Sequence, residues 1–231
     1  MRPTMLLCAI ADLVAPRRCC ACDAVLPAGS STWCAACETA CEPAPPSALP
    51  PAPHAAVFQY GGAMAIALRR YKYAGRSELA RPLGNLLAAA APAYGDLVDA
   101  VVPVPPHPSR LRERGFDPVA LLSAPLARAL GVPHRLEALR RVRPTPPQAG
   151  LDARARAANV RGAFVAASKR PLPRAVLLVD DVRTTGATLA ECTRVLRDAG
   201  VGSVYSVTLA MATGDSDDDA RDAFAGNAAS W

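Results

Sequence analysis

The chain has 231 residues, of which 51% are hydrophobic, so it is large and apolar enough for one α/β domain with a small additional module. Its formal net charge of +6 favours partners that carry phosphate groups, although it identifies none of them. The longest apolar stretches are well below the roughly 18 residues that a membrane-spanning helix needs. We therefore expect no membrane insertion.

The N-terminal segment combines an apolar stretch with a dense group of cysteines. Residues 5–11 predict a short helix rather than a signal peptide, because Asp12 interrupts the apolar run and no clean cleavage site follows. We therefore expect a cytoplasmic protein whose thiols stay reduced. Seven of the eight cysteines precede residue 42, which predicts a separate function for this segment.

Two Cys-x-x-Cys pairs, separated by eleven residues, indicate a structural zinc site with four thiolate ligands: Cys19, Cys22, Cys34 and Cys37. Disulfide bonds or a redox pair are the alternatives, and a reducing compartment disfavours both. Cys20 and Cys41 are spare thiols that could replace one of the four ligands. Because so small a segment has little core of its own, bound zinc would supply much of its folding energy.

Prolines and aspartates mark the boundaries of the predicted units. Six prolines fall within residues 43–53, and this density predicts a stiff, extended linker. Aspartates among small residues predict a disordered acidic tail. The predicted organisation is an N-terminal helix with the cysteine module at 1–42, the linker at 43–56, a larger domain at 57–212 and the tail at 213–231.

The larger domain alternates helical and strand patterns. We predict helices at 63–73 and 78–91, a strand at 98–104, a helix at 117–130 ending at Gly131, strands at 161–166 and 175–180, a helix at 187–199 and a strand at 204–211. This alternation predicts an α/β fold with a mostly parallel sheet and helices on both faces. Ligands of such sheets bind at the carboxyl ends of the strands.

The most specific pattern lies where the strand at 175–180 ends. Four apolar residues precede Asp180 and Asp181, and a loop of threonine and glycine leads into the next helix. Backbone N–H groups converge at such a helix N-terminus, and Gly186 permits close approach of an anion. We expect the loop to bind a phosphate through Val182, Arg183, Thr184, Thr185, Gly186, Ala187 and Thr188.

We assign a catalytic role to the two acids, Asp180 and Asp181. Carboxylates at this position can accept hydrogen bonds from two neighbouring ribose hydroxyls, directly or near a Mg²⁺. The alternative is an ordinary strand–turn–helix junction, but buried acids at a strand end need a partner. The sequence therefore indicates a site for a phosphorylated sugar.

Basic residues elsewhere in the domain fit the same chemistry. Arg110, Arg112 and Arg114 follow the strand at 98–104, and guanidinium groups suit bidentate contacts to pyrophosphate oxygens. Lys72 lies near the end of the first predicted helix. These four residues are candidates for pyrophosphate or nucleic-acid contacts, and a solvated basic surface is the alternative.

The segment Val176–Thr188 resembles the phosphoribosyl pyrophosphate (PRPP) loop of type I phosphoribosyltransferases. Over about residues 12–212 the chain resembles ComF-type proteins, a competence-associated group also called GntX-like. Besides the PRPP loop and the paired cysteines, the motifs that carry this resemblance are Tyr71–Arg76, Val102–Pro105, Arg110–Phe116, and Gln148 followed by Arg156 and Asn159–Phe164. One departure is Asp117, where the family usually has Asn.

The resemblance implies a type I phosphoribosyltransferase fold preceded by a zinc module, with PRPP and Mg²⁺ as ligands. It also implies support for the uptake of transforming single-stranded DNA, alongside a helicase-like competence protein in some bacteria. The alternative is an active Mg²⁺-dependent phosphoribosyltransferase that transfers ribose 5-phosphate from PRPP to a nitrogen acceptor. The intact acid pair favours PRPP binding, whereas the basic charge favours DNA, so both hypotheses stay open at this point.

Overall fold

The structure, a computed structural model, describes residues 16–27, 30, 32–50, 53–144, 153–168 and 170–212. The predicted N-terminal helix and the predicted acidic tail lie outside these residues. The helices are α1 (Ala35–Thr39), α2 (Gly62–Tyr73), α3 (Ala80–Ala88), α4 (Pro108–Arg114), α5 (Pro118–Leu130), α6 (Ala153–Val160) and α7 (Ala187–Asp198). The strands are β1 (His54–Gln59), β2 (Ala100–Pro103), β3 (Leu139–Arg141), β4 (Phe164–Ala166), β5 (Ala175–Arg183) and β6 (Ser203–Met211).

The centre of the fold is a four-stranded parallel sheet in the order β1-β6-β5-β2. The central strand β5 begins with an uninterrupted apolar run whose members, Val176 to Val179, are all fully buried. Such runs are typical of parallel strands that are covered on both faces, because both sets of alternating side chains need an apolar environment. The predicted mostly parallel sheet is therefore confirmed.

Alternation along β5 divides the core into two layers. Leu177 and Val179 face a cluster that contains side chains of α2, α3 and α5. Val176 and Leu178 face the opposite side, where they pack with residues of α7. Helices therefore cover both faces of the sheet, as the sequence predicts.

Short segments pair with the two outer edges of the sheet. At the β1 edge, the N–H of Ala44 donates to the carbonyl of Val57, and the N–H of Gln59 donates to the carbonyl of Glu42. At the β2 edge, Val101 pairs in the same way with Pro133 and Arg135. The proline-rich range 43–56 thus contains both an edge-pairing segment and the first residues of β1.

Most predicted helices are confirmed to within a few residues, and α5 ends at Gly131 in the left-handed conformation that its C-terminus requires. The strand predicted at 161–166 is β4, which pairs antiparallel with β3 in a separate two-stranded sheet. Strands β1 and β3 were not predicted. Among the described residues, no helix combines the length and the apolar character that crossing a membrane requires.

The packing of α3 on α5 depends on a glycine, and it can be tested there. A Cβ atom at Gly84 would lie 2.8 Å from the carbonyl oxygen of Leu122 and 2.9 Å from Cγ of Pro125. We expect Gly84→Ala to lower the free energy of unfolding by about 1–3 kcal/mol, because one of the two helices must shift. Urea unfolding followed by circular dichroism measures this change.

The matched control is Gly95→Ala, since nothing lies within 4 Å of a Cβ atom at that position. This control should change the free energy of unfolding by less than about 0.5 kcal/mol. Equal effects of the two substitutions would contradict the close approach of the helices.

Candidate functional site

The four cysteines selected by their spacing form one cluster. The sulfur atoms of Cys19, Cys22, Cys34 and Cys37 all lie within 4.8 Å of one another. The Cys22 and Cys34 sulfurs are 3.6 Å apart. Tetrahedral zinc with Zn–S bonds of about 2.3 Å places its sulfur ligands roughly 3.8 Å apart, so the cluster could hold a metal ion such as zinc.

The two spare thiols lie outside this cluster. Cys20 is fully buried in the hydrophobic core. Its burial raises the pKa of the thiol to about 12, which favours the neutral form that packs against apolar side chains. Cys41 is also kept protonated, because burial raises its pKa to about 11. Neither is therefore needed as a substitute ligand.

An arginine of α2 holds the first cysteine pair against the larger domain. Nη1 of Arg70 donates to the carbonyl oxygens of Ala21 at 2.6 Å and Cys20 at 3.2 Å. Its Nη2 lies 2.8 Å from a carboxylate oxygen of Asp23, which also pairs with Arg76 at 3.1 Å. Hydrogen bonding to Arg76 is the main cause that lowers the pKa of Asp23 to about 2. The cysteine module is thus fixed to α2 by charge-assisted hydrogen bonds.

Both acids lie inside β5, not at its end. The strand continues to Arg183, three residues beyond the predicted end at residue 180. Because successive side chains of a strand point to opposite faces, Asp181 shares the α2 side with Val179, and Asp180 shares the α7 side with Leu178. The two carboxylates therefore meet different surroundings.

Asp181 forms an ion pair with Lys72. Nζ of Lys72 lies 2.8 Å from Oδ1 of Asp181, and the two side chains are only 16% and 10% exposed. Burial alone would lower the Lys72 pKa, but the attraction of Asp181 outweighs it and raises the pKa above its usual value. The same Oδ1 accepts a hydrogen bond of 2.6 Å from the backbone N–H of Val182.

Asp180 lies among different groups. Burial is the main cause that raises the pKa of Asp180 to about 8, and the charge of Asp181 adds to it. Arg141, whose guanidinium lies 5.2 Å from the ring centre of Phe164, lowers the pKa of Asp180 by its charge. One carboxylate oxygen of Asp180 accepts a hydrogen bond of 2.9 Å from the N–H of Asp181. These surroundings favour the neutral form of the Asp180 carboxyl group.

The loop after β5 leads directly into the N-terminus of α7. Gly186 is the N-cap residue with φ of +77°, a left-handed conformation that favours glycine, and no side chain caps the helix. The N–H of Ala187 is 3.5 Å from Oγ1 of Thr185, a long contact for a hydrogen bond. Nε of Arg183 is buried without a hydrogen-bond partner in the described chain. The N-terminus of α7 and the Arg183 side chain therefore offer N–H groups that can donate hydrogen bonds to an anion.

The predicted basic residues are distributed unevenly around this edge. Arg110 pairs with Glu113 at 2.9 Å, and the guanidinium of Arg114 lies 5.4 Å from the ring centre of Tyr73. Arg112 is exposed on α4. Helix α4 follows the carboxyl end of β2, so all three arginines lie at the edge where β5 also ends. Lys72 instead forms an ion pair with Asp181.

Two further residues of the site were not among the sequence candidates. The sequence pattern did not indicate Arg141, because β3 is a three-residue strand without an apolar pattern. Asp117 was recognised only as a departure from the family, yet its carboxylate caps α5 by accepting a hydrogen bond of 3.0 Å from the N–H of Ala120. Burial is the main cause that raises the pKa of Asp117, and the charge of Asp181 adds to it.

Comparison with known proteins shows the family to which this chain belongs. No family model matches it. A protein named competence protein F, from Haemophilus influenzae, is 37% identical over 156 residues, which cover 64% of this chain and 68% of that protein. The chain belongs to the competence protein F (ComF-type) family. The family resemblance of the sequence is thereby confirmed.

Other relatives of this ComF-type chain have similar coverage. DNA utilization protein YhgH of Escherichia coli K12 is 35% identical over 156 residues, covering 64% of this chain and 67% of that protein. Competence protein ComFC of Streptococcus pneumoniae is 28% identical over 156 residues, covering 68% and 67%.

Solved structures similar to the ComF-type chain include two adenine phosphoribosyltransferases. One, from Trypanosoma brucei in complex with AMP, pyrophosphate and ribose 5-phosphate, has a TM-score of 0.39 and 14% identity, covering 83% of this chain and 72% of that one. The other has a TM-score of 0.40 and 16% identity, covering 80% and 92%.

The cysteine cluster predicts a definite metal content. We expect about one zinc per chain in the purified protein, and loss of the zinc in Cys22→Ser and Cys34→Ser, because three thiolates do not complete a structural site. Elemental analysis of the purified proteins measures the ratio. Cys41→Ser is the control and should keep its zinc, since Cys41 lies outside the cluster. Metal-free wild-type protein would contradict the assignment.

Proposed function

We propose that this ComF-type protein binds PRPP or a related ribose phosphate at the carboxyl edge of its sheet and supports DNA uptake in natural transformation. One observation carries the proposal: two acids in the last part of the central strand are followed by a loop with N–H donors at the N-terminus of α7. That arrangement offers acceptors for sugar hydroxyls beside donors for a phosphate.

Each part of the ligand would meet a group of matching chemistry. Asp180 and Asp181 would accept hydrogen bonds from the two ribose hydroxyls. The segment from Val182 to Thr188, which runs from the end of β5 into α7, would hold the 5′-phosphate, with the positive end of the α7 dipole directed at it. The pyrophosphate would extend toward Arg110, Arg112 and Arg114, whose guanidinium groups suit its oxygens. Mg²⁺ would accompany the pyrophosphate.

Two observations support the proposed role in DNA uptake. Relatives at 35% and 37% identity carry the names DNA utilization protein and competence protein F. The net charge of +6 and the exposed arginines of α4 fit a polyanionic partner such as single-stranded DNA. A helicase-like competence protein is the proposed protein partner, in keeping with the resemblance of the motifs.

The second candidate is an active phosphoribosyltransferase. The retained acid pair favours this candidate, because carboxylates accept hydrogen bonds from ribose hydroxyls but repel the phosphates of a nucleic acid. Catalysis would consist of positioning the phosphates and stabilising the positive charge that develops on the ribose ring as pyrophosphate leaves. A nitrogen nucleophile would then attack the anomeric carbon.

Calorimetric titration with Mg²⁺ and PRPP tests the binding proposal. We expect the zinc-loaded wild type to bind PRPP, and Asp180→Asn/Asp181→Asn to lose at least tenfold in affinity, because amides are weaker acceptors than carboxylates for ribose hydroxyls. Asp96→Asn is the control and should bind like the wild type, since Asp96 is exposed and precedes β2 at the amino edge of the sheet. Absence of binding by folded wild-type protein would refute the proposal.

Two assays separate the candidates. A pyrophosphate-release assay with PRPP and a series of nucleobases should stay at background if the protein only binds, and turnover abolished by Asp180→Asn/Asp181→Asn would establish the enzyme instead. Titration with single-stranded DNA should show an affinity that falls steeply with salt, because counterions are released from phosphates. A response independent of salt would exclude direct DNA binding through the basic residues.

A further inference from the structure

Lys72 occupies the position at the acid pair that a divalent cation would need. Its ammonium lies 2.8 Å from Oδ1 of Asp181, and this oxygen also accepts the 2.6 Å hydrogen bond from the N–H of Val182. The two side chains are 16% and 10% exposed, so neither partner is free to move into solvent without breaking buried contacts. The lysine is therefore a built-in part of the site.

The acid pair does not fit a directly bound Mg²⁺. This ion requires near-octahedral oxygen ligands at about 2.0–2.1 Å, and a metal on Oδ1 of Asp181 would have to displace the ammonium of Lys72. The second carboxylate gives little help, because Asp180 lies on the other side of the strand and its oxygen accepts the N–H of Asp181. Because the two carboxylates leave the strand on opposite faces, a metal ion here would depend on Asp181, whose Oδ1 is already paired with Lys72.

We propose that Lys72 is the internal counter-ion of Asp181, which orients this carboxylate for a hydroxyl donor and excludes a divalent cation from the acid pair. Mg²⁺ then reaches the site only on the pyrophosphate of the ligand. The identity of the hydroxyl donor as a ribose rests on the proposed function, whereas the exclusion of the cation does not.

The balance of charge supports this role. Lys72, Asp180 and Asp181 together carry a net charge of −1 or 0. An anionic phosphate in the adjacent loop therefore meets less repulsion than two unpaired carboxylates would cause. Removal of the lysine would leave a nearly buried carboxylate without its partner, a costly arrangement that a metal ion at Oδ1 of Asp181 would relieve. A lysine that contacts ligand phosphate alone would not produce this gain of metal binding.

Binding of Mn²⁺ alone, measured by electron paramagnetic resonance on zinc-loaded protein, tests the proposal without PRPP. We expect wild type and Asp181→Asn to bind Mn²⁺ equally, because neither has a metal site at the acid pair. Lys72→Met should gain one site at least tenfold tighter than any weak binding of the wild type. Lys72→Met/Asp181→Asn should lose this site, and Lys72→Arg should not gain it.

Arg81→Met controls for a general loss of positive charge, since Arg81 is exposed on α3, and it should gain no site. A wild-type Mn²⁺ site that Asp181→Asn abolishes would overturn the proposal, and so would a folded Lys72→Met that gains none. If Lys72→Met fails to fold, the comparison of wild type with Asp181→Asn still decides. Failure of the wild type to bind PRPP would refute the proposed function and leave the Mn²⁺ result valid.

Discussion

Side-chain alternation along a single buried strand determines how this site is built. Strand β5 is covered on both faces, so a charged residue at either face must find its partner in the layer that covers that face. Asp181 finds Lys72 on α2, and Asp180 lies within the field of Arg141 on β3. Two adjacent acids thus require two separate layers of the protein to be in place.

Helix α2 connects this requirement to the cysteine module. Arg70 and Lys72 lie in its last turn, and they reach in different directions, one to the carbonyls of the first cysteine pair and the other to the acid pair. A helix is stiff over such a distance, so the position of the cysteine module and the position of the lysine are set by the same element. Both contacts therefore depend on the placement of α2.

Sequence patterns predicted the parts of the protein that depend on local spacing. The cysteine cluster, the parallel sheet and the C-terminal glycine of α5 follow from the separation of a few residues or from periodicity. The site residues stay predictions, but their placement at the carboxyl edge follows from the order of the elements. Strand β1 was missed because the prolines before it dominate the pattern.

Long-range pairs could not be predicted in this way. Lys72 and Asp181 belong to distant segments, and nothing in either segment indicates the other. The extension of β5 from Asp180 to Arg183 was missed because charged residues usually end a buried strand, and the pairing of Asp181 with Lys72 was not predictable. The position of Arg141 could not be predicted either, because it depends on the pairing of β3 with β4.

The segment that pairs with the outer edge of β1 follows directly after the cysteine module, since Glu42 and Ala44 come only a few residues beyond Cys37. Disorder in the cysteine cluster would therefore also loosen the strip that covers this edge. Exposed strand edges pair readily with other chains, so the order of the cysteine cluster also protects the sheet from edge-to-edge association.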